Sequence, residues 1–131
     1  MLFLRRAVEV AGREIEVAVL AGTTELVLNR GVGHIAGTPL PGEPGNVGIA
    51  GHRDGFFRGL KDVKPEDLIE LETLSATYRY RVDELLIVDP TDTEVLDPTA
   101  EPAITLVTCY PFDALEPGGP LRYVVTARQV P

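Results

Sequence analysis

Two stretches of the chain alternate apolar and polar side chains: Leu68 to Leu74 (LIELETL) and Thr77 to Val82 (TYRYRV). In the second, Tyr78, Tyr80 and Val82 fall on one face and Arg79 and Arg81 on the other. A period of two is that of a half-buried strand, so both stretches predict antiparallel β-strands. LLIV at 85–88 continues or follows the second. Short β-branched runs read as further strands: Ile15 to Leu20 (IEVAVL), Val47 to His52 (VGIAGH), Ile104 to Cys109 (ITLVTC) and Leu121 to Ala127 (LRYVVTA). Thr23 to Leu28 reads as a short turn or helical element. In RDGFFRGL at 53–60, Phe56, Phe57 and Leu60 share one side of a single helical turn, which predicts a short helix or 3₁₀ turn with those three in the core.

Between these runs the chain is punctuated by 13 Gly and 11 Pro, spread along its length. Residues 37–46 (GTPLPGEPGN) form a loop by composition, and 89–102 (DPTDTEVLDPTAEP) a long acidic connection. About seven or eight short strands with few helices point to a closed or nearly closed β-barrel, because closure removes exposed edges. A length of 131 residues with 44% hydrophobic content suits a single domain over 1–131, in which 1–14 is a lead-in without an assigned element.

With 12 basic and 20 acidic side chains the net charge is -8, which argues against nucleic acid as a partner. No stretch approaches the roughly 18 consecutive apolar residues of a membrane helix, and the apolar segment of MLFLRRAVEV is too short for a signal peptide. There is no CxxC, and His34 and His52 are the only histidines, so the ligand set of a structural zinc site is missing. The carboxylates are scattered. Calcium on Glu66, Asp67 and Glu70, or on Asp89 to Asp97, lacks any EF-hand spacing to support it, and no cofactor is expected. No P-loop, GxGxxG or GxSxG is present, and GVGHIAG is too short to count as a dinucleotide motif.

The single cysteine, Cys109, is by arithmetic a buried inert thiol, a reactive one or an intermolecular link. Pro111 removes a ladder donor just after it, so Cys109 sits at a rim and not in mid-sheet. A thiolate nucleophile needs electropositive company to form and an acid to release its leaving group; a histidine and Arg122 offer those two roles.

Three segments carry a resemblance: GVGHIAGTPLPGEPGNVGIAGHRDGFFRGL at 31–60, YRYRV at 78–82, and TLVTCYPF with LRYVVTA between 105 and 127. Together they resemble the sortases, cysteine transpeptidases that join proteins bearing a sorting signal to cell-surface amines. The stretch before His52 is most similar to the class D or pilin-type branches. The resemblance implies an eight-stranded closed β-barrel with one or two short helices or 3₁₀ turns. It implies Cys109 as nucleophile, His52 as general acid and base, and Arg122 as the cation near the scissile carbonyl, with Thr108, His34 and Tyr110 contacting substrate. Asp54 is a turn residue on this reading. The loop 113–121 borders the signal-binding groove.

The resemblance further implies partners: proteins with an LPxTG-like signal, and an amine from a cell-wall precursor or pilin subunit. It implies a place on the cell surface, held by a membrane anchor absent from this sequence. At the turn before LIEL the family usually has Gly-Asp, and here Glu66 and Asp67 stand. Two rivals are a β-barrel that binds peptide or carbohydrate without catalysis, and a cysteine hydrolase that releases the acyl group to water.

Overall fold

The computed structural model describes residues 2–8, 12–23, 28, 31–41, 43–52, 60, 62–73, 76–110 and 120–131, with backbone alone for 2–18 and Tyr110. Among the described residues there are eight strands: β1 (Leu2–Val8), β2 (Gly12–Ala21), β3 (Val32–His34), β4 (Asn46–Ala50), β5 (Leu68–Glu72), β6 (Thr77–Val88), β7 (Ala103–Tyr110) and β8 (Leu121–Val130). They close into one barrel in the order β1-β2-β3-β4-β7-β8-β6-β5. Closure gives every strand two neighbours and leaves no open edge. The eight-stranded closed barrel expected from the sequence is the fold found.

The alternating stretches become β5 and β6, paired antiparallel from Leu68↔Arg81 to Glu72↔Thr77. Their inward residues Ile69, Leu71, Tyr80 and Val82 join Val47, Ile49, Ile104, Leu106, Tyr123, Val125 and Ala127 in the core. TYRYRV and LLIV are one strand with a bulge between Val82 and Glu84. The extra residue resets the alternation, so that Leu85 packs against the core again. Burial pushes the Tyr80 phenol up to about 12, with Tyr78 adding to it.

Two strands were not expected: β1, which lies in the lead-in, and the three-residue β3. Neither β2 with β3 nor β4 with β7 pairs antiparallel; both pairs run parallel. The acidic connection holds a 3₁₀ turn at Glu94–Leu96. Leu60 is buried as expected. Phe56, Phe57, Asp54, most of the 23–28 element and most of the 113–121 loop lie outside the described residues.

The turn Lys64-Pro65-Glu66-Asp67 brings the chain into β5. The Asp67 amide donates to the Lys64 carbonyl at 3.1 Å, and Glu66 has φ 78. Pro at the second position and a left-handed third is a type II pattern, which favours Gly third. This is the turn at which the resemblance leads one to expect Gly, and Glu stands there. Neighbours compensate: the Glu66 amide donates to the Val82 carbonyl at 2.9 Å, and the Val82 amide to that of Asp67 at 2.8 Å.

Candidate active site

β4, β7 and β8 are consecutive in the barrel. Val47 and Ile49, Ile104 and Leu106, and Tyr123 and Val125 point inward, so residues of the other parity face outward. Cys109 and Arg122 are direct cross-strand partners of that outward set. β4 runs parallel to β7 with a constant offset, from Asn46↔Ala103 to Ala50↔Val107. The Gly51 amide extends this ladder by donating to the Val107 carbonyl at 3.1 Å. Two residues beyond Ala50, the same offset sets His52 level with Cys109.

The direction of the strands makes this possible. Because β4 and β7 are parallel, both C-terminal ends reach one rim. Antiparallel β8 begins there, so thiol and guanidinium come from neighbouring strands at one level, and the imidazole follows two residues past β4, which ends at Ala50 and not at His52 as the sequence suggested. With neighbours about 4.8 Å apart, all three can act on one substrate group. Cys109 is a free, half-buried thiol, and His52 is half-buried. The Arg122 guanidinium donates to the Leu121 carbonyl at 3.0 Å and makes further interactions.

One step down the strands lies an apolar row: Ala50↔Val107, Val107↔Val124 and Val124↔Leu86. Below it Gly48 pairs with Thr105. A Cβ on Gly48 would lie 3.0 Å from Thr38, 3.1 Å from Ile35 and 3.1 Å from Leu96. The loop after β3 and the connection between β6 and β7 therefore meet over that glycine.

The other expected site residues are distributed unevenly. Thr108 faces inward beside Cys109; it is 2% exposed and its Oγ1 has no hydrogen-bond partner. Only the backbone of Tyr110 is described, opposite Leu121. The His34 ring is held within the loop after β3, its Nε2 lying 2.8 Å from the Pro39 carbonyl and 3.1 Å from Thr38 Oγ1. The Thr38 hydroxyl donates to the Ile35 carbonyl at 2.7 Å and accepts from the Gly48 amide at 3.1 Å. The Pro39 carbonyl can only accept, so the single Nε2 proton of His34 goes to it, and Thr38 Oγ1, its own proton committed to Ile35, is at most a second, longer acceptor.

Among the described residues no group of three or more His, Cys, Asp and Glu could hold a metal ion. Glu70 and Glu66 instead pair with Arg79 at 2.9 Å and Arg81 at 3.4 Å, and an Asp67 oxygen accepts from the Lys64 amide at 3.0 Å. Sequence reading passed over Asn46, Gly48 and Thr105. The available signal was a polar residue heading an otherwise apolar buried strand.

The fold and site define a small β-barrel protein with a thiol at its rim. A family model for the sortase domain matches residues 8–130, and the chain belongs to the sortase family. It is 31% identical to sortase D of Bacillus subtilis over 88% of its length and 58% of the relative's. To sortase A of Listeria monocytogenes it is 33% identical, over 79% of this chain and 48% of that protein. The chain thus spans about half the length of these curated relatives. Among solved structures, a Clostridium perfringens sortase D5 transpeptidase superposes with a TM-score of 0.84 at 31% identity, covering 100% of this chain and 79% of that one. Sortase C of Streptococcus pneumoniae does so with a TM-score of 0.84 at 26% identity, covering 98% and 67%. Class D and pilin-type sortases are both among the similar proteins.

Proposed function

We propose that the chain is the catalytic domain of a sortase-type cysteine transpeptidase acting on an LPxTG-like signal. The observation that carries this is the outward level shared by Cys109, its cross-strand partner Arg122 and, by register, His52. The Cys109 thiolate attacks the carbonyl carbon of the signal's Thr, and the C–N bond to the next residue breaks. His52 gives its proton to the departing amine, leaving a thioester on Sγ. An incoming amine then attacks the thioester, His52 takes the proton, and the thiolate leaves.

Arg122 hydrogen-bonds the oxyanion or the signal's backbone, a role that contributes about 3–4 kcal/mol per donor in other acyl-transfer enzymes. Thr108 and Tyr110 adjoin the nucleophile along β7; Thr108, turned inward and 2% exposed, supports it from the core side without reaching substrate, and His34 contributes through the loop it holds. The half-buried members of the apolar row, Ala50, Val107 and Leu86, suit a signal that begins with Leu and Pro, while Val124 is fully buried between them. As written, the reaction draws on side chains alone. The acceptor is an amine of a cell-wall precursor or pilin subunit, and the enzyme works at the cell surface. No helix among the described residues is long and apolar enough to cross a membrane.

Incubation with a library of LPxTx peptides, followed by intact-mass measurement, is the test. A thioester-sized gain on wild type and none on Cys109→Ala is expected. No adduct with any peptide, while a thiol reagent still labels Cys109, refutes the reading in favour of a binding barrel. Product identical with and without added amine refutes transfer in favour of hydrolysis.

A further inference from the structure

The connection from β6 to β7 covers 14 residues, 89–102, and all but Val95 and Leu96 are exposed. Its internal bonds are local. The Thr91 amide and hydroxyl reach Asp89 Oδ1 at 3.0 and 2.8 Å, the Glu94 amide reaches Asp92 Oδ1 at 3.2 Å, and the Leu96 amide reaches the Thr93 carbonyl at 3.0 Å. Such bonds shape the segment without fixing where it lies on the barrel. The Gln129 amide ties the end of the segment to β8 through the Pro102 carbonyl at 3.0 Å, and the segment's middle is held by one buried amide. Asn46 Nδ2 donates to the Val95 carbonyl at 2.9 Å and to the Asp97 carbonyl at 3.2 Å. Its Oδ1 accepts from the Thr105 hydroxyl at 2.7 Å.

Asn46 is 4% exposed and Thr105 1%, so this chain of bonds is shielded from water. The amide uses both its protons and one lone pair, which fixes its orientation. The Thr105 hydroxyl also lies 3.3 Å from the Val95 carbonyl, but its one proton serves the shorter bond to Asn46. Both residues face outward on β4 and β7, the strands that lead to His52 and carry Cys109. The carbonyls they hold bracket Leu96, the side chain that lies over Gly48 at the far end of the apolar row.

The geometry points to Asn46 and Thr105 as positioning residues for substrate selection. By fixing Leu96 against Gly48 they set the depth of the groove's far wall, and hence which apolar side chain of the signal is accepted. Neither touches the reacting atoms. From Thr105 to Cys109 is four strand residues, about 13 Å, far enough to leave the chemistry at Cys109 unaltered. This inference rests on the acyl-transfer reading above.

Two isosteric changes break the clamp in different ways. Asn46→Asp replaces the double donor with an acceptor facing two carbonyls. Thr105→Val removes the hydroxyl and leaves the backbone of β7 unchanged, and Thr105→Ser restores it. The probes are the peptides Leu-Pro-Ala-Thr-Gly and Ala-Pro-Ala-Thr-Gly with a fixed amine. Thr105→Val should raise KM for the Leu peptide about tenfold, the equivalent of one buried hydrogen bond. It should also lower the Leu-over-Ala preference in kcat/KM by a similar factor. kcat and the rate of Cys109 alkylation should stay within about twofold of wild type, and Thr105→Ser should regain the wild-type KM. Amide exchange at Leu96 and Asp97 should quicken in Thr105→Val and not in Thr105→Ser. Should Asn46→Asp fail to fold, the Thr105 pair decides alone. A Thr105→Val enzyme with unchanged Leu preference, or with kcat lowered equally for both peptides, overturns the inference. Wild type forming no thioester with either peptide overturns instead the acyl-transfer reading, and the exchange rates still report whether the clamp exists.

Discussion

Replacing Glu66 by Gly should stabilise the protein. Glu66 has φ 78, a left-handed conformation that costs a residue with a Cβ about 1–2 kcal/mol. Glycine removes that cost but loses about 0.5–1 kcal/mol through the greater freedom of its unfolded chain. The change also removes the ion pair with Arg81, 3.4 Å long between side chains 41% and 78% exposed. Pairs so exposed are worth a few tenths of a kcal/mol. The net gain is about 0.5 kcal/mol, or about 2 °C in Tm for a chain of this size. Glu66→Ala is the control, because it removes the same charge and the same ion pair while keeping the strained backbone. Thermal and urea melts of the three proteins, with the m-value held common, isolate the backbone contribution as the difference between Gly and Ala variants. A Gly variant no more stable than the Ala variant would show that Glu66 carries no strain worth relieving.

Gly48→Ala should destabilise by about 1–3 kcal/mol, since Thr38, Ile35 and Leu96 would all have to shift for the new methyl; urea melts measure it. Arg122→Lys should lose most transpeptidation, because a point charge does not reproduce a planar fork, and near-normal turnover would remove Arg122 from the site. The first half-reaction should have a bell-shaped pH profile, checked by thioester formation between about pH 6 and 9. Of the four tyrosines, Tyr80 should ionise late, near pH 12, in an ultraviolet titration. An unfolded tyrosine loses its proton near pH 10. Between about pH 10 and 12 the unfolded state therefore binds fewer protons than the native one, and stability should fall as pH rises through that window. Tyr80→Phe should lack that contribution.

Where burial follows a period of two, the sequence was readable: LIELETL and TYRYRV became β5 and β6, and the face assigned to Tyr78, Tyr80 and Val82 is the one that turns to the core. The bulge after Val82 broke that period and made one strand look like two. β3, three residues long, is too short to carry any period. LFLRRAV lacks strict alternation, and its assignment rests on partners in β2 and β5 that local pattern does not reveal. The same holds for the site. Thirteen residues and a Pro-Gly loop predict that Cys109 and Arg122 meet, as they do. The level of His52 depends on a parallel pairing between strands far apart in sequence, and no local signal encodes that. The clamp at Asn46 was equally hidden, because its partners are backbone carbonyls that carry no sequence signature.

That parallel pairing also orders events in time. The β7–β8 hairpin closes over 13 residues between Cys109 and Arg122, whereas β4 and β7 register across 57 residues from Ala50 to Val107. The longer closure carries about 1.3 kcal/mol more chain entropy, and non-local contacts of this kind form late. That difference predicts a folding chain with its thiol already beside the guanidinium before the imidazole arrives, an order that pulsed thiol labelling during refolding would read. On the proposed function, reactivity toward a signal would then wait for the last long-range register.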